Sequence, residues 1–206
     1  MLEEILIRMV LLIILIAHFI VFVAPLIIIK KKGADPHGTH KGYSILARCS
    51  SISYFLLIIY IIMYILDRDI SYTFYWFSSL VQDIFIISGM VLAIIGIILE
   101  SLGIITLGLN FRIELPKEDT RLITSGIYRF MRNPIALSVY LFVIGVFLMT
   151  PNIISLFICI FNIIAFNAKV AKEEIFLLER FRNEYEEYAN TVGRYFPFTF
   201  KKHKKK

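Results

Sequence analysis

A chain of 206 residues, 58% of them hydrophobic, is too apolar for an ordinary soluble domain, whose apolar share is about half even with glycine counted. The net charge of +6 would raise nucleic acid as a partner in a soluble protein. Here the apolar residues fall in long runs, and Lys201, Lys202, Lys204, Lys205 and Lys206 close the chain. Beside a membrane domain these lysines suit anionic lipid headgroups, or serve as a solubilising tail, and nucleic acid is not expected.

In chain order, the first apolar run covers about residues 5–29 and ends at Lys30-Lys31-Lys32. Its length fits the roughly 20 residues that cross a bilayer, with Pro25 positioned to kink it near one end. The run is too long for a signal-peptide core and shows no small-residue cleavage site, so it is expected to be retained as a helix. The breaker-rich loop 33–40 follows, with His37 and His40 but no third metal ligand, and no metal is expected. A second span covers about 43–66. Asp67-Arg68-Asp69 forms a short polar loop, and Tyr72, Tyr75 and Trp76 open a third span, about 74–99, where amphipathic aromatics favour the interface.

From Glu100 to Pro134 the hydrophobic pattern is interrupted by glycines, alternating polar residues and five Lys or Arg residues: Arg112, Lys117, Arg121, Arg129 and Arg132. The next apolar region, 135–168, is divided by Thr150-Pro151-Asn152. Two packed helices joined by a tight turn fit it best; a single kinked helix and a re-entrant hairpin are the alternatives. Cys49 and Cys159 lie in apolar surroundings and read as packing residues. Placing every basic loop on the cytosolic side requires five crossings, with the N-terminus outside and the C-terminus cytoplasmic.

A last helix is expected over about 169–191. Leu178, Phe181, Tyr185, Tyr188 and Val192 recur in steps of three and four, giving an apolar face for the membrane surface or the helical domain. The expected fold is therefore all-α, a polytopic integral membrane protein of about five transmembrane helices and a C-terminal interfacial helix, forming one domain over 1–206. Within it, 1–99 is a three-span region, 100–197 a polar, site-bearing region, and 198–206 a basic tail.

The polar residues near the cytosolic end form a candidate site. Arg129 and Arg132 share a face if their stretch is helical. Asn133 is placed to cap the fourth span and Pro134 to occupy its first turn. Carboxylates at an apolar boundary are costly unless paired or hydrated. One of Glu173 and Glu174 is available to pair with Arg129 or Arg132, and the other to accept hydrogen bonds from a ligand. Arg194, in Val192-Gly193-Arg194-Tyr195-Phe196-Pro197, suits an anionic ligand or a phosphate headgroup.

Gly126-Ile127-Tyr128-Arg129-Phe130-Met131-Arg132-Asn133-Pro134 resembles the Gly-Pro-Tyr-Arg-x-x-Arg-His-Pro motif of the isoprenylcysteine carboxyl methyltransferase family, part of a broader group that includes phospholipid methyltransferases. Glu173-Glu174, followed by Leu177, Phe181, Tyr185, Tyr188 and the 192–197 segment, resembles its C-terminal signature. Leu102-Gly103 and Thr106-Leu107-Gly108 resemble the approach to the first motif. The resemblance covers about 96–197 and departs from the family at Ile127, Asn133, Ala136 and Ser138, where proline, histidine, tyrosine and glycine are usual. Asparagine keeps hydrogen bonds but is no acid or base near neutral pH. Tyr140, one helical turn beyond Ala136, is placed to substitute for the missing ring.

The resemblance implies S-adenosylmethionine as cofactor and a lipophilic methyl acceptor, most readily an isoprenylcysteine-type carboxylate, in an integral membrane, the cell membrane being expected. It implies Arg129, Arg132, Glu174 and Arg194 as catalytic residues, and Tyr128, Asn133, Pro134, Glu173 and Glu174 as cofactor-binding residues, with Tyr140 added as the spatial substitute for the family's tyrosine. A carboxylate acceptor needs a positioning cation, whereas an amine acceptor needs a base, for which a Glu is available. An NADPH-dependent lipid reductase and a non-enzymatic lipid-binding protein are the rival readings.

Overall fold

The computed structural model describes residues 2–33, 45–66, 79–112 and 121–196. The His37–His40 loop, the aromatics at 72–76 and the basic tail lie outside the described residues. Six α-helices are described: α1 (Leu2–Lys31), α2 (Ile45–Leu66), α3 (Ser79–Leu107), α4 (Pro134–Met149), α5 (Ile153–Phe181) and α6 (Asn183–Thr191). Of these, α1, α2, α3 and α5 are long and apolar enough to cross a membrane. Among the described residues the protein is an all-α polytopic membrane protein with four spanning-length helices and a short C-terminal helix, rather than clearly five spans. The difference lies in α4, whose 16 residues make a rod of only about 24 Å.

The divided apolar region does form two helices joined by a tight turn. Thr150-Pro151-Asn152 works there because its polar groups are paired internally, as a membrane interior requires. The Asn152 side chain accepts from the Ser155 N–H at 2.9 Å, while the Asn152 N–H donates to Ser155 Oγ at 3.1 Å, a reciprocal cap on α5. Ser155 Oγ donates to the Thr150 carbonyl at 2.6 Å, and Asn152 Nδ2 donates to Tyr60 Oη of α2 at 2.6 Å.

Helices α3 and α4 pack antiparallel at very close range. A Cβ added to Gly89 would lie 2.6 Å from the Gly145 carbonyl oxygen, and one added to Gly145 would lie 2.6 Å from that of Gly89. Gly96 meets the backbone at Ser138 and Phe142, and Gly103 meets Ile135 and Pro134. Small residues on such a seam let membrane helices gain dispersion contact where hydrocarbon gives no hydrophobic drive. Every residue of α4 is buried or half-buried, with α3 and α5 packed most closely against it. The outer helices instead present side chains such as Phe19, Phe55, Ile105 and Phe157. Helix α5 is pinned to α2 where Asn162 Nδ2 donates to the Ser53 carbonyl at 3.0 Å and Ser53 Oγ donates to Asn162 Oδ1 at 3.1 Å.

Two boundaries differ from expectation. The third span continues to Leu107, because Glu100 is buried inside it with a partner rather than lying at its polar end. The C-terminal helix does not begin at Lys169. Residues 169–181 complete α5, and the chain breaks at Arg182, whose φ of +46° is unusual for a residue with a side chain. The expected apolar face is therefore split: Leu178 is exposed on α5, while Tyr185 and Tyr188 of α6 are buried.

Candidate functional site

The segment entering α4 and the segment leaving α6 lie side by side. The chain turns through a short 3-10 helix at Gly126–Arg129. Gly126 has φ +57° and stands where a Cβ would lie 2.8 Å from the Thr106 side chain, so glycine serves both the turn and the close approach to α3. The Arg132 N–H then donates to the Gly193 carbonyl at 2.9 Å, and the Asn133 N–H to the Arg194 carbonyl at 3.0 Å. Tyr188 Oη donates to the Tyr128 carbonyl at 2.6 Å.

Glu174 is the hub. Its Oε1 accepts from Arg132 Nε at 3.2 Å and Asn133 Nδ2 at 3.0 Å, and lies 3.1 Å from Arg132 Nη2. Its Oε2 accepts from Arg194 Nη2. Arg132 Nη1 also donates to the Ala189 carbonyl at 2.7 Å and the Val192 carbonyl at 3.1 Å, satisfying acceptors at the end of α6. One guanidinium thus ties α5, α6 and the following strap together. The Glu174 hydrogen bond raises the Arg194 pKa further, so that cation persists at any working pH.

Asn133 stands at the N-cap of α4, but its side chain makes no capping bond; it is spent on Glu174. Pro134 occupies the first turn as expected. Glu173, one position along α5 from Glu174, faces elsewhere: it lies 3.6 Å from Lys169 and lines the central cavity. Tyr140 Oη is 3.1 Å from Tyr195 Oη with ring centroids 5.4 Å apart, and Tyr195 Oη donates to Asn167 Oδ1 at 3.2 Å. Arg129 is exposed and does not share the face of the half-buried Arg132, because the 3-10 turn ends between them. Tyr185 Oη is buried with no hydrogen-bond partner among the described residues. Burial raises the Tyr185 pKa, with Glu174 adding to the rise and Arg132 and Arg194 opposing it.

A cavity of about 470 Å³ lies between α1, α2, α3, α4 and α5, within the size range of small-molecule sites. At its polar end stand Tyr128, Arg132, Asn133 and Glu173. Its wall is otherwise largely apolar and includes Phe55, which is 62% exposed on the outer face of α2. One cavity therefore joins the charged cluster to the lipid-facing surface. Two of its ionisable residues escape a sequence reading. Arg112 Nη1 donates to the Leu109 and Phe111 carbonyls at 2.5 and 3.0 Å, which fixes it at the rim. Glu100 faces the cavity from α3. The signal for Glu100 was a charge close to an apolar run, hidden by setting the end of the span one residue before it.

The family model for phospholipid methyltransferases matches residues 84–184, from α3 through the beginning of α6. A probable protein-S-isoprenylcysteine O-methyltransferase of Oryza sativa subsp. indica is 35% identical over 130 residues, covering 60% of this chain and 63% of that protein. The protein-S-isoprenylcysteine O-methyltransferase of Saccharomyces cerevisiae is 34% identical over 124 residues, covering 58% and 52%. Enzyme A of that name from Arabidopsis thaliana is 32% identical over 116 residues, covering 53% and 58%. The chain is thus similar to phospholipid methyltransferases over residues 84–184 and to these isoprenylcysteine methyltransferases over a comparable stretch. It spans between about half and two thirds of the length of these curated relatives. The family match contains the arginine and glutamate segments but stops before Arg194, which the strap then returns to Glu174.

The Tyr188–Tyr128 bond yields an expectation for alkaline pH. Burial, the largest cause, pushes the Tyr188 hydroxyl up to about 12; Arg132 lowers it and Glu174 raises it. An unfolded tyrosine titrates near 10. Between about pH 10 and 12 the folded protein therefore binds more protons than the unfolded one, and stability falls as pH rises through that window. Tyr188→Phe is expected to cost about 1 kcal/mol below pH 10 and to shed its share of the alkaline loss. Thermal unfolding in detergent at pH 8 and pH 11 reads both effects.

Proposed function

We propose that the protein transfers a methyl group from S-adenosylmethionine to a lipophilic acceptor, an isoprenylcysteine-type carboxylate. The observation carrying this reading is the single cavity that runs from the Arg132–Asn133–Glu173 end to the lipid-exposed Phe55. The methyltransferase relationship supports it. Bound S-adenosylmethionine supplies an electrophilic sulfonium methyl group.

The residues present fit that group. Tyr185 Oη is a buried donor with no hydrogen-bond partner among the described residues, within electrostatic reach of Glu174, Arg132 and Arg194. Arg194 keeps 39% of its side chain exposed while bound to Glu174, leaving donors for a carboxylate. Glu173 offers acceptors for an ammonium or ribose hydroxyls, and the Tyr140–Tyr195 pair offers aromatic faces for a purine. Tyr128 and Pro134 complete the wall near the α4 start. Arg132 and Glu174 hold the strap in place and keep these groups in one geometry. Arg132 and the rim residue Arg112 are the cations for the acceptor carboxylate, which needs orientation and no deprotonation. The gain comes from holding reactants in line and excluding water. Arg129, exposed and apart, has no part in this arrangement.

In the proposed topology α4 is the fifth, shorter crossing. Ile29 packs with Ile104 and Phe111, so Lys30–Lys32 lie at the same end as Arg112 and Arg132. We take that common basic end as the cytosolic one, with the N-terminus outside and the cell membrane as the proposed location; anionic headgroups are the proposed partner of the basic tail.

Calorimetry of the purified protein in detergent tests the cofactor assignment. Wild type binds S-adenosylmethionine, and Arg194→Ala weakens binding about tenfold or more through loss of a charged hydrogen bond. Folded wild-type protein that gives no binding heat, and no labelled lipid when incubated with methyl-labelled S-adenosylmethionine and farnesylated acceptors, would refute the proposal.

A further inference from the structure

Part of the cavity wall carries ionisable side chains within the apolar span of α3. Glu100, 2% exposed, sits inside α3 and lines the cavity. His18 of α1 places Nδ1 2.8 Å from Glu100 Oε2, and its Nε2 is hydrogen-bonded with Tyr54 Oη of α2. The imidazole stacks on Phe142 of α4 with centroids 4.5 Å apart. Side chains from three other helices thus fix one carboxylate in position. A buried ion pair is weak evidence of stabilisation, because desolvation offsets much of the attraction, and ionisable groups at membrane depth characteristically mark function.

A purely structural pair leaves one observation unexplained. Glu100 Oε2 lies 2.8 Å from His18 Nδ1, yet the carboxylate borders the cavity instead of being sealed between helices, and its acceptor capacity exceeds that one contact. Its depth follows from the α3–α4 register, in which Gly103 lies against Pro134 and Ile135, and Gly96 against Ser138 and Phe142. Glu100 therefore stands about one helical turn, ~5 Å, further into the bundle than Asn133. A lipid carboxylate at the level of Asn133 and an N–H on the adjacent carbon, each at hydrogen-bond distance from its partner, span that interval.

We propose that Glu100, held by His18 and Tyr54, accepts a hydrogen bond from an N–H group beside the acceptor's carboxylate, so that the cavity selects an amino-acid-type lipid over a plain thioether acid. This rests on the reading of the cavity as the site of a lipophilic carboxylate. Tyr54 orients His18 and His18 orients Glu100; both are positioning residues.

The test compares two lipids with the same C15 tail, N-acetyl-S-farnesylcysteine and S-farnesylthiopropionic acid, which differ in the acylated nitrogen. Binding to purified protein in detergent is measured without S-adenosylmethionine, so the result does not depend on methyl transfer. Wild type binds the N–H lipid about tenfold more tightly, the size expected of one charged hydrogen bond. In Glu100→Leu the ratio collapses towards one. In Glu100→Gln, which keeps the shape and one neutral acceptor if the leucine variant fails to fold, it falls severalfold. A merely structural role would weaken both lipids alike and leave the ratio unchanged. A wild-type ratio near one, or a ratio preserved in the folded variants, overturns the proposal. A preserved preference for the N–H lipid with no label transferred to either one would instead sink the methyl-transfer reading and leave this site standing.

Discussion

Replacing Glu174 with leucine is expected to abolish methyl transfer and to destabilise the protein by about 3 kcal/mol, the lower end of the cost of stripping one partner from a buried charge network. Glu174 is the acceptor for two guanidinium groups and an amide. Without it, Arg132 remains largely buried, with only 14% of its side chain exposed, and carries an uncompensated charge. Arg194, more exposed, recovers part of its loss from water. The strap also loses its tie to α5, so the proposed cofactor groups on 194–195 no longer face Glu173 and Tyr140. A loss of at least about hundredfold in label transfer corresponds to some 2.7 kcal/mol of transition-state stabilisation. Glu174→Gln keeps an acceptor at one oxygen and is expected to fall between wild type and leucine. Thermal unfolding in detergent, paired with label transfer, separates the two effects. Full transfer and an unchanged midpoint in the leucine variant would show that the cluster is ornamental.

The second large effect is expected far from the charges. Gly145→Val puts a branched side chain where even a Cβ lies 2.6 Å from the Gly89 carbonyl oxygen and 2.9 Å from the Ala93 nitrogen. These neighbours are backbone, so no rotamer change relieves the overlap, and α3 and α4 must separate. The expected cost is about 3 kcal/mol, the upper range for overpacking a core. Separation also tilts the start of α4 and so misplaces Asn133 and Arg132. The variant is expected to unfold at lower temperature and to lose activity in parallel with stability. Gly145→Ala, with a single methyl, is expected to show a smaller loss of the same kind. A valine variant with wild-type stability would mean that the helices are not in this register.

Sequence periodicity and length made the long helices legible, because apolar runs of 20 residues or more have few alternatives. They could not show whether a polar residue ended a helix or was accommodated inside it. Glu100 looked like a boundary because its partner, His18, lies more than eighty residues earlier. The break at Arg182 was equally hidden: the three-and-four spacing from Leu178 to Val192 continues through it, and neither glycine nor proline marks the spot. In the site, the motif residues Arg132, Asn133, Glu174 and Arg194 were all named from the sequence and converge in the structure. Arg129 was grouped with them by spacing that assumed an α-helix, and the tighter 3-10 turn directs it outwards. Arg112 and Tyr195 were invisible as participants because nothing local distinguishes a rim cation or a second ring from ordinary interface residues.

The enclosure of α4 changes how the protein responds to its lipid. A helix that touches the bilayer adjusts its tilt when hydrocarbon thickness changes, at a cost of fractions of a kcal/mol per ångström of mismatch. Helix α4 has no exposed residue, so thickness acts on it mainly through its neighbours. The outer helices take up the mismatch, while Asn133 and Pro134 keep a depth set by the glycine seam with α3. In bilayers of graded acyl-chain length, acceptor affinity should then follow the lipid far less closely than the tilt of α1 or α2 does.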